Sequence, residues 1–125
     1  MQKILCVEDN DDNLFMLHRR LGRAGFEVKV ATNGAEAVKW AKTLQPDLIV
    51  MDLNLPGLDG WEATRRLKAQ AETKHIPVVV LSANSSPKDR ERAIAAGCHA
   101  YETKPTDFDQ LLEVIRSLLA RTPYA

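Results

Sequence analysis

The amino-acid sequence predicts a doubly wound α/β fold, in which helices cover both faces of one five-stranded parallel sheet. Two observations support this fold class. Short apolar runs alternate five times with segments of helical periodicity, which is typical of repeated strand-helix units. The run at residues 48–51 has no polar alternation, which indicates a strand buried on both faces. A chain of 125 residues is expected to form one domain, residues 1–125, with a sizeable core.

The elements of the first half have recognisable starts and ends. Asp11 or Asp12 is expected to cap the first helix, with Gly25 just beyond its end. Asn33 is expected to cap the second helix, and Pro46 stops it. The predicted elements are a strand at residues 4–7, a helix from 11 or 12 to about 24, a strand at 28–31, a helix to about 44, and the strand that ends on Asp52.

The second half continues the same alternation. Ser86 and Pro87 open the fourth helix and Gly97 closes it, since proline suits the first helical turn. The predicted elements are a helix at about 61–71, a strand at 76–81 that ends at Ser82, the fourth helix, and a short strand at 100–102. A last helix then presents an apolar face formed by Phe108, Leu111, Leu112, Ile115, Leu118 and Leu119.

Three acidic residues are expected to meet at one edge of this sheet. Right-handed crossovers favour the flavodoxin-like strand order 2-1-3-4-5, whose switch point lies between the first and third strands. Glu8, Asp9 and Asp52 follow or end those strands. The loop after Asp52, with Pro56 and Gly60, predicts a rigid turn that leaves the Asp52 carboxylate open to a ligand.

Crowded carboxylates repel one another, and a raised pKa, a paired cation or a bound metal relieves the repulsion. Hard oxygen ligands favour Mg²⁺, which takes one or two carboxylates and keeps several waters. A solvated acidic helix start is the simpler interpretation of Glu8 taken alone. Its coincidence with Asp52 at a switch point favours a metal site.

Two further polar groups follow neighbouring strands. Lys104 follows the fifth strand and Ser82 the fourth, so an ammonium and a hydroxyl should face the same rim as Asp52. A carboxylate is a competent nucleophile toward phosphorus, while a metal, a lysine and a hydroxyl neutralise the phosphoryl oxygens. A surface salt bridge and a helix cap are the simpler roles for each group separately. Together, the groups indicate phosphoryl chemistry at Asp52.

The composition favours a soluble cytoplasmic protein without a polyanionic partner. Seventeen basic residues balance seventeen acidic ones, so neither nucleic acid nor a membrane surface is an expected partner. The apolar run near Met1 is too short for a signal peptide. Cys6 and Cys98 are expected to be reduced thiols rather than a disulfide or a metal pair.

These residues resemble the receiver domains of two-component response regulators over about the whole chain, in particular the stand-alone, chemotaxis-regulator-like type. Glu8-Asp9 is similar to the family's acidic pair, and Asp52 is similar to its phosphoacceptor. Ser82 and Tyr101 resemble its switch hydroxyl and switch aromatic. The pair formed by Lys104 and Pro105 resembles its lysine followed by a cis proline.

The resemblance implies a Mg²⁺ cofactor held by Asp9, Asp52 and the main-chain carbonyl of Asn54. It also implies a phosphohistidine partner, either a histidine kinase or a histidine phosphotransfer protein. Glu8 stands where Asp is frequent, and its longer side chain reaches the metal through water or caps the cluster. Ser82 stands where Thr is commoner. Neither departure removes a required group.

Two other functions fit the fold less well. A Mg²⁺-dependent phosphohydrolase with an aspartyl nucleophile, similar to haloacid dehalogenases, needs a second aspartate two residues later, where this chain has Asn54. A flavin-binding module needs hydroxyls and glycines after the first strand, where Glu8 would repel a phosphate. The sequence also leaves open a receiver excised from a hybrid kinase or a larger regulator, although we expect a stand-alone regulator.

Two surfaces are predicted to bind partners. Phe15 lies nearly opposite the buried stripe expected from Leu17, Leu21 and Ala24, so we expect Phe15 and Pro105 to dock the phosphohistidine partner. The fourth helix, fifth strand and fifth helix are expected to form the output surface. The fourth helix has only Ile94 as a large apolar anchor, and its docking should therefore be marginal. Output partners would contact Arg90, Ala93 and Tyr101.

Overall fold

The computed structural model describes residues 1–55, 57–83 and 86–120, and it confirms the predicted fold class. Five parallel strands pair in the order β2-β1-β3-β4-β5. The strands are β1 (Lys3–Val7), β2 (Glu27–Ala31), β3 (Leu48–Asp52), β4 (Val78–Ser82) and β5 (Ala100–Thr103). The helices are α1 (Asp11–Arg23), α2 (Gly34–Leu44), α3 (Gly60–Ala69), α4 (Pro87–Ala95) and α5 (Phe108–Ala120). In these described ranges, no helix has the length and apolar character needed to cross a bilayer.

The strand β3 is buried on both faces, as its unbroken apolar run predicts. Leu48 and Val50 belong to the core on one face of the sheet, which α1 and α5 cover. Ile49 and Met51 belong to the core on the other face, which includes residues of α2, α3 and α4. Side chains that alternate along one strand therefore stabilise both layers of helices.

The parallel register brings the C-terminal ends of four strands to one edge of the sheet. Val7 pairs with Met51, Asp52 with Leu81, and Ser82 with Thr103. The segments that follow β1, β3, β4 and β5 therefore all leave the sheet at this one edge.

The cap of α1 differs from the prediction. Asn10 is the N-cap, with an extended backbone and a side-chain oxygen that accepts the N–H of Asn13. Asp11 and Asp12 lie in the first turn instead, where negative charge interacts favourably with the positive end of the helix dipole. The predicted caps Asn33 and Ser86 are confirmed, and Gly25 follows α1 with a positive φ of 97°.

The boundaries of α3 and β4 also differ from the prediction. The side chain of Asp59 caps α3, which therefore begins at Gly60 and ends at Ala69 instead of spanning 61–71. Hydrogen-bonded turns fill residues 70–76, and β4 begins at Val78, where its pairing with Ile49 starts. The strand ends at Ser82, where the sequence predicts its end.

The predicted anchor of α4 is wrong. Ile94 is 57 % exposed, whereas its neighbour Ala93 is buried against the core. Adjacent helical positions point about 100° apart, so only one of these two side chains can face the sheet. Two arginines supply further contacts: Arg92 lies 4.0 Å from the ring centroid of Trp61, and Arg90 lies 5.6 Å from that of Tyr101. A single small buried residue supports the expectation that α4 docks weakly.

Gly60 fixes the distance between α3 and the end of β3. A Cβ atom at this position would meet the carbonyl oxygen of Asp52 and lie 2.7 Å from the Cα of Leu53. Both obstacles are backbone atoms, which cannot move aside as the end of a flexible side chain could. The absence of a side chain at Gly60 therefore allows α3 to begin directly against the backbone of Asp52 and Leu53.

We expect Gly60→Ala to lower the free energy of unfolding by about 1–3 kcal/mol, because overpacking forces the backbone apart. Gly22→Ala is the matched control: no atom lies within 4 Å of a Cβ at this helical position, so alanine should stabilise the protein by about 0.5–1 kcal/mol. Urea denaturation of both variants measures the difference. Equal stabilities of the two variants would contradict the close approach at Gly60.

Candidate functional site

The acidic residues converge as predicted. Glu8, Asp9 and Asp52 each place a carboxylate oxygen within 4.8 Å of the other two. Glu8 and Asp52 are only 1 % and 2 % exposed, whereas Asp9 is exposed. Two buried carboxylates and one exposed carboxylate therefore form a single cluster at the switch point of the sheet.

Lys104 neutralises part of this negative charge. Its Nζ donates to Asp52 Oδ1 at 3.0 Å and to Glu8 Oε1 at 3.1 Å. The backbone N–H of Lys104 donates to the carbonyl of Ser82 at 2.7 Å, which continues the pairing of β4 and β5 beyond the strand end. The peptide bond between Lys104 and Pro105 is cis, as the sequence resemblance implies.

The Asp52 carboxylate, which the sequence predicts to be open to a ligand, is largely shielded from solvent by its neighbours. The Lys104 ammonium bridges Asp52 and Glu8, and the side chain of Asp52 is buried. Of the predicted turn residues, Gly57 has a positive φ of 67° and Pro56 lies outside the described residues. A ligand of Asp52 must therefore displace or join the lysine.

The pKa values of the cluster reflect its burial and its charges. Burial raises the pKa of Glu8, and the hydrogen bond and charge of Asp52 raise it further against the opposing effect of Lys104. Burial alone would lower the pKa of Lys104, but the bonds and charges of Asp52 and Glu8 outweigh burial and raise it. Lys104 therefore remains a cation among three carboxyl groups.

Backbone N–H groups donate hydrogen bonds to the two buried carboxylates. Glu8 Oε2 accepts the N–H groups of Asp9 at 3.1 Å and Asn10 at 3.4 Å, and Asp52 Oδ1 accepts the N–H of Asn54 at 3.2 Å. Both oxygens of Glu8 are thus engaged, one by Lys104 and one by the chain. Glu8 has little freedom to act as a direct metal ligand, whereas the exposed Asp9 has more.

The oxygen-rich donor set fits Mg²⁺. Three carboxylates face one lysine, which leaves excess negative charge in a small volume. Asn54 follows Asp52 by two residues in an exposed position, so its main chain borders the cluster. The residues present therefore match the expected cation in charge and ligand type.

Ser82 and Tyr101 lie on adjacent strands beside this cluster. Ser82 is buried at the end of β4, one residue beyond Leu81, the partner of Asp52 in the register. Tyr101 in β5 is buried within the core. Arg90 of α4 lies over the ring and donates to the Tyr101 carbonyl at 3.3 Å.

Met16 and Phe108 lie beside the site but were not predicted from the sequence as part of it. A cavity of about 220 Å³ lies between α1 and the start of α5, where Met16 and Phe108 join Glu8, Lys104 and Pro105 in its lining. Met16 belongs to a run of four apolar residues in α1, only some of which can face the core. That surplus of apolar residues was the signal that could have identified it. Phe15, by contrast, points outward as predicted and is 62 % exposed.

A larger cavity lies away from the carboxylates. It measures about 650 Å³ and is lined by residues before β3 and β4, by His99, and by Leu118 and Leu119 of α5. This position corresponds to the N-terminal edge of the sheet, opposite the acidic cluster. Volume alone therefore does not mark the site; the converging charges do.

Comparison with known proteins agrees with this geometry. The family model described as the response regulator receiver domain matches residues 4–116. The chain belongs to the response regulator receiver family. Protein PilH of Pseudomonas aeruginosa is 37 % identical over 120 residues, covering 96 % of this chain and 99 % of PilH. The polar-differentiation response regulator DivK of Brucella anthropi is 37 % identical over 118 residues, covering 94 % and 96 % of the two chains.

A solved receiver structure is similar to this receiver in sequence and in fold. It is the receiver domain of the sensor histidine kinase PA1611 from Pseudomonas aeruginosa, with 35 % identity and a TM-score of 0.89 over 95 % of this chain and 98 % of that one. A magnesium ion is coordinated in the active site cleft of that protein. Fold and family are therefore shown for this receiver, and both agree with the sequence-based prediction.

We expect Asp52→Asn to stabilise the metal-free receiver at pH 8 by about 1 kcal/mol, a usual scale for one substitution. The amide oxygen can keep the bonds from Lys104 and Asn54, while one of three crowded charges is lost. Because the folded state raises the pKa of Glu8 above 4.5, the contribution of Glu8 to wild-type stability is lost as the pH rises from 4.5 through the raised folded pKa. The advantage of the variant should therefore shrink below about pH 4.5.

Urea denaturation over a pH series, with a chelator present, measures this effect. Glu113→Gln is the matched control, since Glu113 is exposed outside the first turn of α5 and the loss of its charge should change the stability little. A metal-free Asp52→Asn variant that is less stable than wild type at pH 8 would contradict the account of crowded carboxylates.

Proposed function

We propose that this receiver takes a phosphoryl group onto Asp52 from a phosphohistidine of a histidine kinase or a histidine phosphotransfer protein. The Lys104 ammonium that bridges Asp52 and Glu8 within an acidic cluster supports the proposal most directly. This arrangement combines a carboxylate nucleophile with a fixed cation for the phosphoryl oxygens.

In the proposed reaction, an Asp52 carboxylate oxygen attacks phosphorus while the bond from phosphorus to the histidine nitrogen breaks. The electron pair of that bond stays on the departing imidazole. Lys104 and Ser82 stabilise negative charge on the phosphoryl oxygens as the geometry changes. Bound Mg²⁺ would neutralise further oxygen charge, held by Asp9, Asp52 and the main-chain carbonyl of Asn54, with Glu8 reaching it through water. The receiver would thus catalyse only its own phosphorylation and dephosphorylation.

Incubation with a small phosphodonor and Mg²⁺ tests the proposal by mass spectrometry. Wild type should gain one phosphoryl adduct on Asp52, and Asp52→Asn should gain none. Lys104→Ala should phosphorylate about a hundredfold more slowly, because one charge-stabilising group is lost, with a smaller change in Mg²⁺ affinity. Turnover of phosphomonoesters would favour the phosphohydrolase alternative instead, and unchanged phosphorylation of Asp52→Asn would refute the assigned acceptor.

We propose that Phe15 and Pro105 help to dock the phosphohistidine partner. Pro105 lines the small cavity beside Lys104, and the exposed Phe15 lies on the same helix as Met16. An exposed aromatic ring on the helix that follows the acidic pair is the kind of group that anchors protein interfaces.

Phe15→Ala should slow phosphotransfer from a phosphohistidine protein about tenfold, the scale expected when an aromatic anchor is lost. Phosphorylation by the small donor should be unchanged, because the acidic cluster remains intact. Ile94→Ala is the matched control, since Ile94 is exposed to a similar extent on α4. Rapid-quench kinetics with both donors measures the rates, and parallel losses with the two donors would contradict a docking role.

We propose that the signal leaves through α4, β5 and α5. Phosphorylation would draw Ser82 toward the phosphoryl group and shift the balance among arrangements of Tyr101 and α4. A downstream protein would read this shift at the exposed Arg90, because Ala93 and Tyr101, which the sequence also suggested as contacts, are buried. A phosphoryl group can shift such a balance only through contacts that differ between the two states. The contact of Arg90 with Tyr101 and the shallow docking of α4 support this route.

Amide exchange with and without a phosphoryl mimic on Asp52 measures the proposed output. Protection should change across residues 87–102 as well as in the loop after Asp52. Helix α2 serves as the internal reference and should exchange equally in both states. Changes confined to the loop would leave α4 without a role in output.

We also propose that residues 1–125 act as one receiver domain in the cytoplasm. The family match covers most of the chain. Both cysteines are free and buried, and burial raises the pKa of Cys6 to about 12, which makes its thiol unreactive. Buried free thiols fit a reducing compartment.

A further inference from the structure

The exposed side of α1 has three residues in a single stripe. Asp11, Phe15 and Arg19 are spaced by four residues, so they lie on one face of the helix. All three are exposed, and they border an open groove of about 480 Å³ that Leu14, His18 and Val30 complete. This groove lies on the β2 side of α1, whereas Met16 and the cavity beside Lys104 lie on the α5 side.

The charges of this stripe have no partner within the described part of the chain. Neither Asp11 nor Arg19 forms an ion pair or a side-chain hydrogen bond there. The neighbouring Arg20 differs, because it lies 4.8 Å from the ring centroid of Phe108 and 3.9 Å from the Asp109 carboxylate. The stripe therefore combines an exposed aromatic ring with two unpaired charges of opposite sign.

Followed from Arg19 back to Asp11, the stripe has the same spacing, but the signs of its two charges are exchanged. Asp11 lies four residues before Phe15, and Arg19 lies four residues after it, about 6 Å away on either side along the helix axis. If two copies of α1 lie antiparallel with their Phe15 rings at a two-fold axis, Asp11 of each copy comes opposite Arg19 of the other. A two-fold axis requires this kind of self-complementary surface.

We propose that the Asp11-Phe15-Arg19 stripe is an interaction surface for a second copy of this chain. The two α1 helices pack antiparallel, with Phe15 against Phe15 and two symmetric ion pairs between Asp11 and Arg19. The antiparallel arrangement also opposes the two helix dipoles favourably. Charge complementarity favours a second copy over an unrelated partner, because the stripe supplies both halves of each ion pair.

This contact is expected to be weak and reversible. One helix pair with a single aromatic anchor buries less surface than a standard stable interface. Exposed ion pairs contribute modestly and are screened by salt, so association should weaken at high ionic strength. Association through this stripe does not require phosphorylation. It should compete with any partner that docks on Phe15.

Charge reversal tests the proposal by sedimentation velocity from about 10 µM to about 1 mM, a range suited to weak association. Asp11→Arg alone or Arg19→Asp alone should raise the dimer dissociation constant about tenfold, because each places like charges together at both pairs. Phe15→Ala should weaken association to a similar degree. Two controls, Glu113→Arg on α5 and Met16→Ala on the other side of α1, should leave it unchanged.

Mixing the two single variants provides the decisive comparison. A heterodimer of Asp11→Arg with Arg19→Asp restores an opposite charge at both pairs, and so does the homodimer of the double variant. Both should associate within about threefold of wild type, a difference of less than one ion pair. Circular dichroism confirms that each variant is folded. A wild-type protein that stays monomeric, or a mixture no tighter than its components, would overturn the proposal.

Discussion

The ammonium of Lys104 between the carboxylates of Asp52 and Glu8 is the interaction on which the site depends. Burial of two acidic side chains is unfavourable unless a cation or hydrogen bonds compensate. Lys104 reaches both carboxylates from the end of β5, and backbone N–H groups hold their other lone pairs. The chain itself thus compensates much of the buried charge, and the three carboxylates still outnumber the one lysine.

The backbone at Asp52 also limits how the neighbouring elements can pack. The start of α3 lies against the Asp52 carbonyl, which only a glycine at position 60 allows. From that start, Trp61 extends to Arg92 of α4, and the next strand along the sheet ends at Ser82. Rearrangement at the carboxylate therefore has short physical routes to α4, through α3 and through β4. These routes are packing contacts, and whether they transmit a signal depends on the two states they connect.

The two layers of helices differ in how firmly they are held. On one face, α1 and α5 bury leucines and isoleucines against the sheet. On the other face, α4 has one small buried residue and relies on arginine contacts with aromatic rings. Elements with little buried apolar surface open at lower free energy than the rest of a fold. The receiver thus combines a hydrogen-bonded acidic cluster with one weakly attached helix.

The sequence by itself determined the fold, the strand order and the residues of the acidic cluster. Apolar runs, caps and glycines act locally, and the topology of parallel sheets then brings the strand ends together. Only the tertiary structure decided that Lys104 closes over Asp52, that Ala93 rather than Ile94 anchors α4, and that Tyr101 is buried. These features depend on side-chain direction and on contacts between residues distant in sequence, which periodicity within one segment does not specify.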